Sequence, residues 1–314
     1  VAFSTEGDEM VTDSDTMSIV MGKLKIAKES EVACKTLIGL RKRVHAKVDS
    51  AIEALNVGFI EVAFSGIKNI PSSDKRVACT FDVLNELFNH ASVRDQIASN
   101  DNQLRYIIQE LTTFVIETIS ALKKEAEIDA TAQFAAGQDR REKDTFITKY
   151  LKDTEFGKIG YKCLMTIGIL AMHSEKVQTR IVDRSAFVAI IECMRSFNTS
   201  PNMVKWGCWA TTNLVLNNPP NKRDFVQKSG LEAMIDALKL HPMDADLLQQ
   251  GFISSFAVFA PDEKSKMNLP NVRQSALACG IVDVVQLAKR TYPKNETLTK
   301  CGNDILEVLI SDFS

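Results

Sequence analysis

Apolar residues recur along this chain at helical i, i+3, i+4 spacing, in runs broken by Gly, Pro, Ser, Asn and Asp. Nowhere do they alternate strictly with polar residues, as a half-buried strand requires, so the pattern predicts an all-α protein. Six of the runs share a mark. Those at 30–44, 74–89, 157–172, 203–217, 244–259 and 295–310 each carry one small residue at a comparable place: Cys34, Cys79, Cys163, Cys208, Gly251 and Cys301. Cys34 and Cys79 are 45 residues apart, and so are Cys163 and Cys208. Recurrence at this period is the signature of stacked repeats, and a small residue in register suits a close helix crossing.

A second mark precedes these helices. Gly58, Gly230 and Gly280 each lie 21 residues before Cys79, Gly251 and Cys301, and Ser185 lies 23 before Cys208. Each opens an apolar run, and a left-handed corner between a short helix and a longer one suits Gly there. Pro71, Pro201, Pro242 and Pro293 follow that run, with Ser73, Ser200, Asp244 or Asn295 placed to cap the next helix. Short helix, corner, second helix, Pro turn and third helix in about 42 to 50 residues resembles an armadillo repeat, with the HEAT repeat as the near alternative. The resemblance covers about 30–312. It implies a right-handed α-solenoid of about five armadillo-like repeats (47–91, 92–172, 173–218, 219–260 and 261–312) with a leading half repeat.

Two stretches depart from the period. Cys79 to Cys163 spans 84 residues, so the second repeat holds a long insertion at about 115–152. Its second helix keeps an apolar stripe through Ile107, Leu111, Phe114, Val115, Ile119 and Leu122, and is expected to outrun its neighbours before a charged stretch at 129–143. Long insertions in compact folds are functional or unstructured. At the other end, 1–22 holds five acids, no Lys or Arg and little apolar surface, and reads as an acidic disordered arm ahead of a solenoid at 23–314.

Charge adds little for the whole chain: 40 acidic against 38 basic residues give a net −2, too even to indicate nucleic acid as a partner. Without the five acids of the arm the balance is 35 against 38, so arm and body carry opposite signs. The body's densest basic stretch is Lys23, Lys25, Lys28, Lys35, Arg41, Lys42, Arg43 and Lys47. It suits the arm, an acidic partner or nucleic acid, and equally reads as a solvated helix face. No uninterrupted apolar run is long enough to span a bilayer. Seven cysteines without a C-x-x-C pair indicate reduced thiols in a reducing intracellular compartment, the cytoplasm first. A start at Val1-Ala2-Phe3 looks processed and leaves a plastid or another organelle open.

For chemistry, His45, His90, His173 and His241 stand singly, and no P-loop, Rossmann glycine pattern, G-x-S-x-G or H-E-x-x-H occurs, so no catalytic residue, metal site, cofactor or small-molecule substrate is expected. The segment from Lys205 to Leu214 resembles the third helix of armadillo proteins. In that family an Asn amide holds an extended peptide backbone and a Trp forms a slot for a side-chain stem; the matching residues are Trp209 and Asn213. Counting from the small residues in register, the other repeats hold Leu164, Phe252 and Phe256 at such positions, and the repeated Trp/Asn ladder is missing. The expected role is a non-enzymatic scaffold or adaptor that binds a segment of another protein along a concave third-helix surface, at Lys205, Trp209, Asn213, Leu164, Phe252 and Phe256. The alternative is a structural subunit of a large multiprotein assembly, cytoplasmic or organellar, contacted through its convex face or through 115–150.

Overall fold

The computed structural model describes residues 15–27, 30–68, 70–133, 140–172, 174–183, 185–260 and 270–310. Every regular element among them is an α-helix, and the helices come in threes as the spacing predicts. By contact the chain divides into two compact units, Val1–Glu110 and Leu111–Ser314.

The first unit begins with α1 (Met17–Ile26) and α2 (Ser30–Ala46). A full triplet follows, α3 (Val48–Asn56), α4 (Phe59–Ile67) and α5 (Lys75–Asn89), then α6 (Ala91–Ser99) and the start of α7 (Asp101–Gln133). α1 packs on α4 and α2 on α5, so second helix meets second helix and third meets third. This corrects the boundary of the arm. Residues 1–14 lie outside the described residues, but 17–22 are helical, with Met17, Val20 and Met21 buried. Their i, i+3, i+4 spacing was the overlooked signal: an apolar face too short to stand alone becomes stable when α4 and α2 cover it.

In the second unit α7 continues to Gln133, and α8 (Arg140–Asp153), α9 (Glu155–Ile159) and α10 (Tyr161–Ala171) complete the second repeat. Three triplets follow. They are α11 (Glu175–Val182), α12 (Ala186–Ser196) and α13 (Pro201–Val215); α14 (Pro219–Gln227), α15 (Gly230–Lys239) and α16 (Ala245–Phe259); and α17 (Pro270–Ala278), α18 (Ile281–Thr291) and α19 (Glu296–Ile310). The insertion is helical on both sides of 134–139: of the predicted stripe, Ile107, Leu111, Val115, Ile119 and Leu122 are buried along α7 and Phe114 is half-buried. Lys143 Nζ on α8 donates to Thr131 Oγ1 on α7 at 3.4 Å. Fully buried Phe side chains, among them Phe187, Phe197, Phe225, Phe252 and Phe259, fill the space between repeats. Burial of each stabilises the fold by roughly 1.5–3 kcal/mol as an upper bound.

Most of the predicted punctuation is in place. Gly58 and Gly280 take φ of 81° and 80°, and Ser185 takes 68°, each just before a second helix. The fourth corner falls one residue early: Ser229 takes φ 56°, and Gly230 instead opens α15. A Cβ on Gly230 would lie 2.4 Å from the Phe225 ring, so close packing is what requires glycine there. Asp244 caps α16 through the Leu247 N–H at 2.9 Å, and Asn295 caps α19 through the Leu298 N–H at 3.0 Å. At α5 the cap is Asp74 and not Ser73, and it accepts from the Arg76 N–H at 2.8 Å.

The cysteine register holds at the level of the helix and fails at the level of the helix face. Cys34, Cys79, Cys163, Cys208 and Cys301 all lie on third helices, yet Cys163 and Cys208 are buried while Cys79 and Cys301 are half-buried. In the last three repeats the true register mark is a glycine seven residues after the cap: Gly207 after Ser200, Gly251 after Asp244 and Gly302 after Asn295. A Cβ at these glycines would lie 2.8 Å from Met194, 2.4 Å from Leu238 and 2.9 Å from Val285, each on the second helix of the same repeat.

Candidate functional site

In the second unit α10, α13, α16 and α19 pack side by side in that order. α13 divides cleanly by its helical period: Met203, Val204, Gly207, Cys208, Ala210, Thr211, Leu214 and Val215 are buried, and Lys205, Trp206, Trp209, Thr212 and Asn213 are half-buried along the opposite stripe. That stripe holds a row of aromatic rings. Tyr161 on α10 stacks on Trp206 with centroids 6.5 Å apart, and Trp206 meets Trp209 edge to face at 5.3 Å. Trp209 is seated by its neighbour, since a Cβ on Gly168 of α10 would lie 2.4 Å from the indole ring. Only glycine lets the ring lie flat against α10.

One turn beyond Trp209, the Asn213 carbonyl accepts from Gln178 Nε2 at 2.7 Å, and Asn218 Nδ2 donates to Gln178 Oε1 at 3.3 Å. This network fixes the backbone and leaves the amide side chain over. Asn213 Nδ2 has no hydrogen-bond partner among the described residues. An unmade buried hydrogen bond costs about 1–3 kcal/mol. The next helix is held in register by Thr212 Oγ1 and Ser254 Oγ at 2.8 Å, and by Ser254 Oγ donating to the Cys208 carbonyl at 2.8 Å. Lys205 and Asp246 face each other across the same pair at 3.9 Å.

Of the residues singled out from sequence, Lys205, Trp209, Asn213 and Phe256 lie on this face. Leu164 and Phe252 do not: both are fully buried. For Phe252 the reason is a one-residue error, because Gly251 stands seven residues after its cap and Cys208 eight after its own. Counted from the caps, Trp209 corresponds to Ile253, and a helix turns 100° per residue, which carries Phe252 into the core and leaves Ile253 39% exposed. On α10 the neighbour of Leu164, Met165, is the half-buried one. Tyr161 and Trp206 also belong to this candidate face, though neither is among the residues singled out from sequence. Trp206 follows Lys205 and stands three residues before Trp209, so its helical spacing was the available signal.

A second exposed surface is the α7–α8 hairpin. Ile128 on α7 is 60% exposed, and Phe146 and Tyr150 on α8 pair at 6.3 Å. Partial burial, with Glu125 and Asp129 nearby, raises the Tyr150 pKa above the ordinary phenol value. As for nucleophiles, burial pushes the Cys208 thiol up to about 12 and raises Cys163 and Cys193 too. Cys208, buried on the opposite side of α13 from the two tryptophans, is therefore a packing residue. Among the described residues no three His, Cys, Asp or Glu side chains gather to hold a metal ion.

No family model and no curated protein matches the chain. Solved structures do. An engineered protein superposes with a TM-score of 0.68 at 10% identity, covering 95% of this chain and 99% of that one. A designed armadillo repeat protein in complex with the peptide (KR)4 gives 0.62 at 11% identity over 94% and 100%. The chain has an armadillo-like repeat fold. A computationally designed armadillo repeat protein for modular peptide recognition agrees, with a TM-score of 0.60 at 12% identity over 93% of this chain and 99% of that one. At such identities the likeness speaks for the armadillo-like architecture alone, and the use of its faces is argued from their residues.

Proposed function

We propose that the protein is a non-enzymatic interaction scaffold that holds an extended segment of another protein against the third-helix face of its second unit. The observation that carries this reading is the buried Asn213 amide left without a partner among the described residues, one turn from the Trp209 ring of the aromatic row. Trp206, Trp209 and Tyr161 supply rigid apolar area with little side-chain entropy to lose on binding. Gln178, Asn218 and Ser254 hold the stripe in shape before a ligand arrives. The designed armadillo repeat protein solved with (KR)4 supports the reading as an instance of this fold holding a peptide. Here Asp246 is the acidic residue beside the aromatic row and already faces Lys205, so the segment expected here is apolar or mixed in character and not strongly basic.

The test is quantitative capture of the partner by the full chain and by Trp209→Ala/Asn213→Ala. A central aromatic anchor is worth 2 kcal/mol or more, so affinity should fall by about thirtyfold or more while helicity is retained. Unchanged capture by a folded double variant rejects the site. The second reading, a structural subunit contacted through the α7–α8 hairpin, is favoured by the exposed Ile128 on α7 and by the Phe146–Tyr150 pair on α8. In that case removal of 125–145 abolishes assembly and the double variant assembles normally.

A further inference from the structure

Granted the binding face proposed above, its aromatic row also selects for the chemistry of the segment that lies on it. Tyr161, Trp206 and Trp209 form one contiguous strip with centroids 6.5 Å and 5.3 Å apart, so the row spans no more than about 12 Å. All three side chains are half-buried. Among the described residues the two indole N–H groups and the Tyr161 hydroxyl make no hydrogen bond, and they stay within reach of solvent. An indole N–H only donates, and a phenol donates as readily as it accepts. The polar edge of the row therefore offers donors to a ligand and almost no acceptor. Oxygens nearby are spent inside the fold: Thr212 Oγ1 and Ser254 Oγ pair at 2.8 Å, the Asn213 carbonyl accepts from Gln178 at 2.7 Å, and Asp246 faces Lys205 at 3.9 Å.

That imbalance discriminates between segments. An ordinary extended chain brings an N–H as well as a C=O at each residue, and an N–H desolvated against the rings without an acceptor costs about 1–3 kcal/mol. Proline has no N–H. A proline-rich chain turns its carbonyls to the donors and packs its pyrrolidine rings on the aromatic side chains. It is also held beforehand in the polyproline II helix, so it has less entropy to lose on binding. In that helix the same face returns every three residues, or about 9 Å, and a row of this length seats one such repeat. The seat is as rigid as the ligand, since Trp209 lies against Gly168, where a Cβ would come within 2.4 Å of the ring.

We propose that the segment held by this face is proline-rich and binds as a polyproline II helix, its carbonyls accepting from Trp206 Nε1, Trp209 Nε1 and the Tyr161 hydroxyl.

The test is calorimetric titration of the full chain with a peptide of repeating Pro-Pro-Leu, against one of repeating Ser-Ser-Leu that keeps the leucines and restores the N–H groups. The proline peptide should bind about tenfold more tightly than the serine peptide. Trp206→Ala should weaken it by about tenfold or more with helicity retained. Trp206→Phe, which keeps a ring and removes the donor, should weaken it about threefold. A serine peptide that binds as tightly overturns the proposal, and so does tighter binding of a peptide of alternating Lys and Arg. Indifference of the proline peptide to Trp206→Phe removes the donor argument and the proposal with it. If the proline peptide fails to bind while partner capture still depends on Trp209 and Asn213, the proposal falls and the binding face stands; if capture is independent of both residues, the face falls as well.

Discussion

The third helices of the two units carry two different surfaces. In the first unit α2 and α5 meet across a groove walled by Arg41, Lys42, His45 and Glu86; in the second, α10 and α13 meet under Tyr161, Trp206 and Trp209. What differs beneath them is how closely the helices approach. α10 admits an indole ring because Gly168 has no Cβ, and α13, α16 and α19 each place a glycine against the second helix of their own repeat. In α5 the place seven residues after the cap is taken by Phe81, which is buried. The repeat thus constrains its inner positions by volume, while the outer stripe is free to hold a charged groove in one unit and an aromatic row in the other.

The sharpest way to break this comparison is to put a methyl group where each unit does and does not tolerate one. Gly168→Ala forces the Trp209 ring off its seat and should destabilise the second unit by about 1–3 kcal/mol, with a change in tryptophan emission. Gly66→Ala in α4 of the first unit has nothing within 4 Å of the added Cβ and should stabilise by about 0.5–1 kcal/mol. Thermal unfolding of both variants decides it, and equal effects would contradict the packing argument.

A smaller effect separates the caps. Hydrogen bonds from the Arg76 side chain, assisted by one from Ser30, hold the Asp74 carboxyl at about 2, below its usual 3.8. The folded value lies below the unfolded one, so the stabilisation is complete above about pH 4 and is lost as pH falls towards 2. Asp74→Ala should cost about 1 kcal/mol near neutrality, and its Tm deficit should shrink between pH 4 and pH 2; a deficit constant down to pH 2 would contradict the assignment. Smallest of all, Lys205→Ala breaks only the solvent-exposed pair with Asp246 and should change stability by less than about 0.5 kcal/mol, as chemical denaturation can verify. A larger loss would mean that Lys205 packs as well as pairs.

The architecture was legible because it rests on what sequence displays directly. Apolar period, left-handed corners at Gly58, Ser185 and Gly280, and caps at Asp244 and Asn295 located nearly every helix. α1 was missed because composition over 1–22 diluted the short face of Met17, Val20 and Met21, which is apolar enough only once α4 covers it. The candidate face was legible in part. Trp209 and Asn213 stand where the Trp–x–x–x–Asn spacing puts them, on one stripe. Leu164 and Phe252 were misplaced because the spacing between small residues of successive repeats sums helix and loop lengths, and loops absorb insertions without telling which way a helix is turned. The caps and the glycines after them carry that rotation, since both are fixed to the helix itself.

The proposed binding face is tested most directly by site-specific photo-crosslinking in an extract of the protein's own source. Ile253→benzoylphenylalanine places the reactive group on the third-helix face, and Ile128→benzoylphenylalanine places it on the α7–α8 hairpin; both isoleucines are exposed. The account predicts a discrete protein adduct from position 253 that Trp209→Ala abolishes, and none from 128. Adducts from 128 alone, or from neither position, would contradict it.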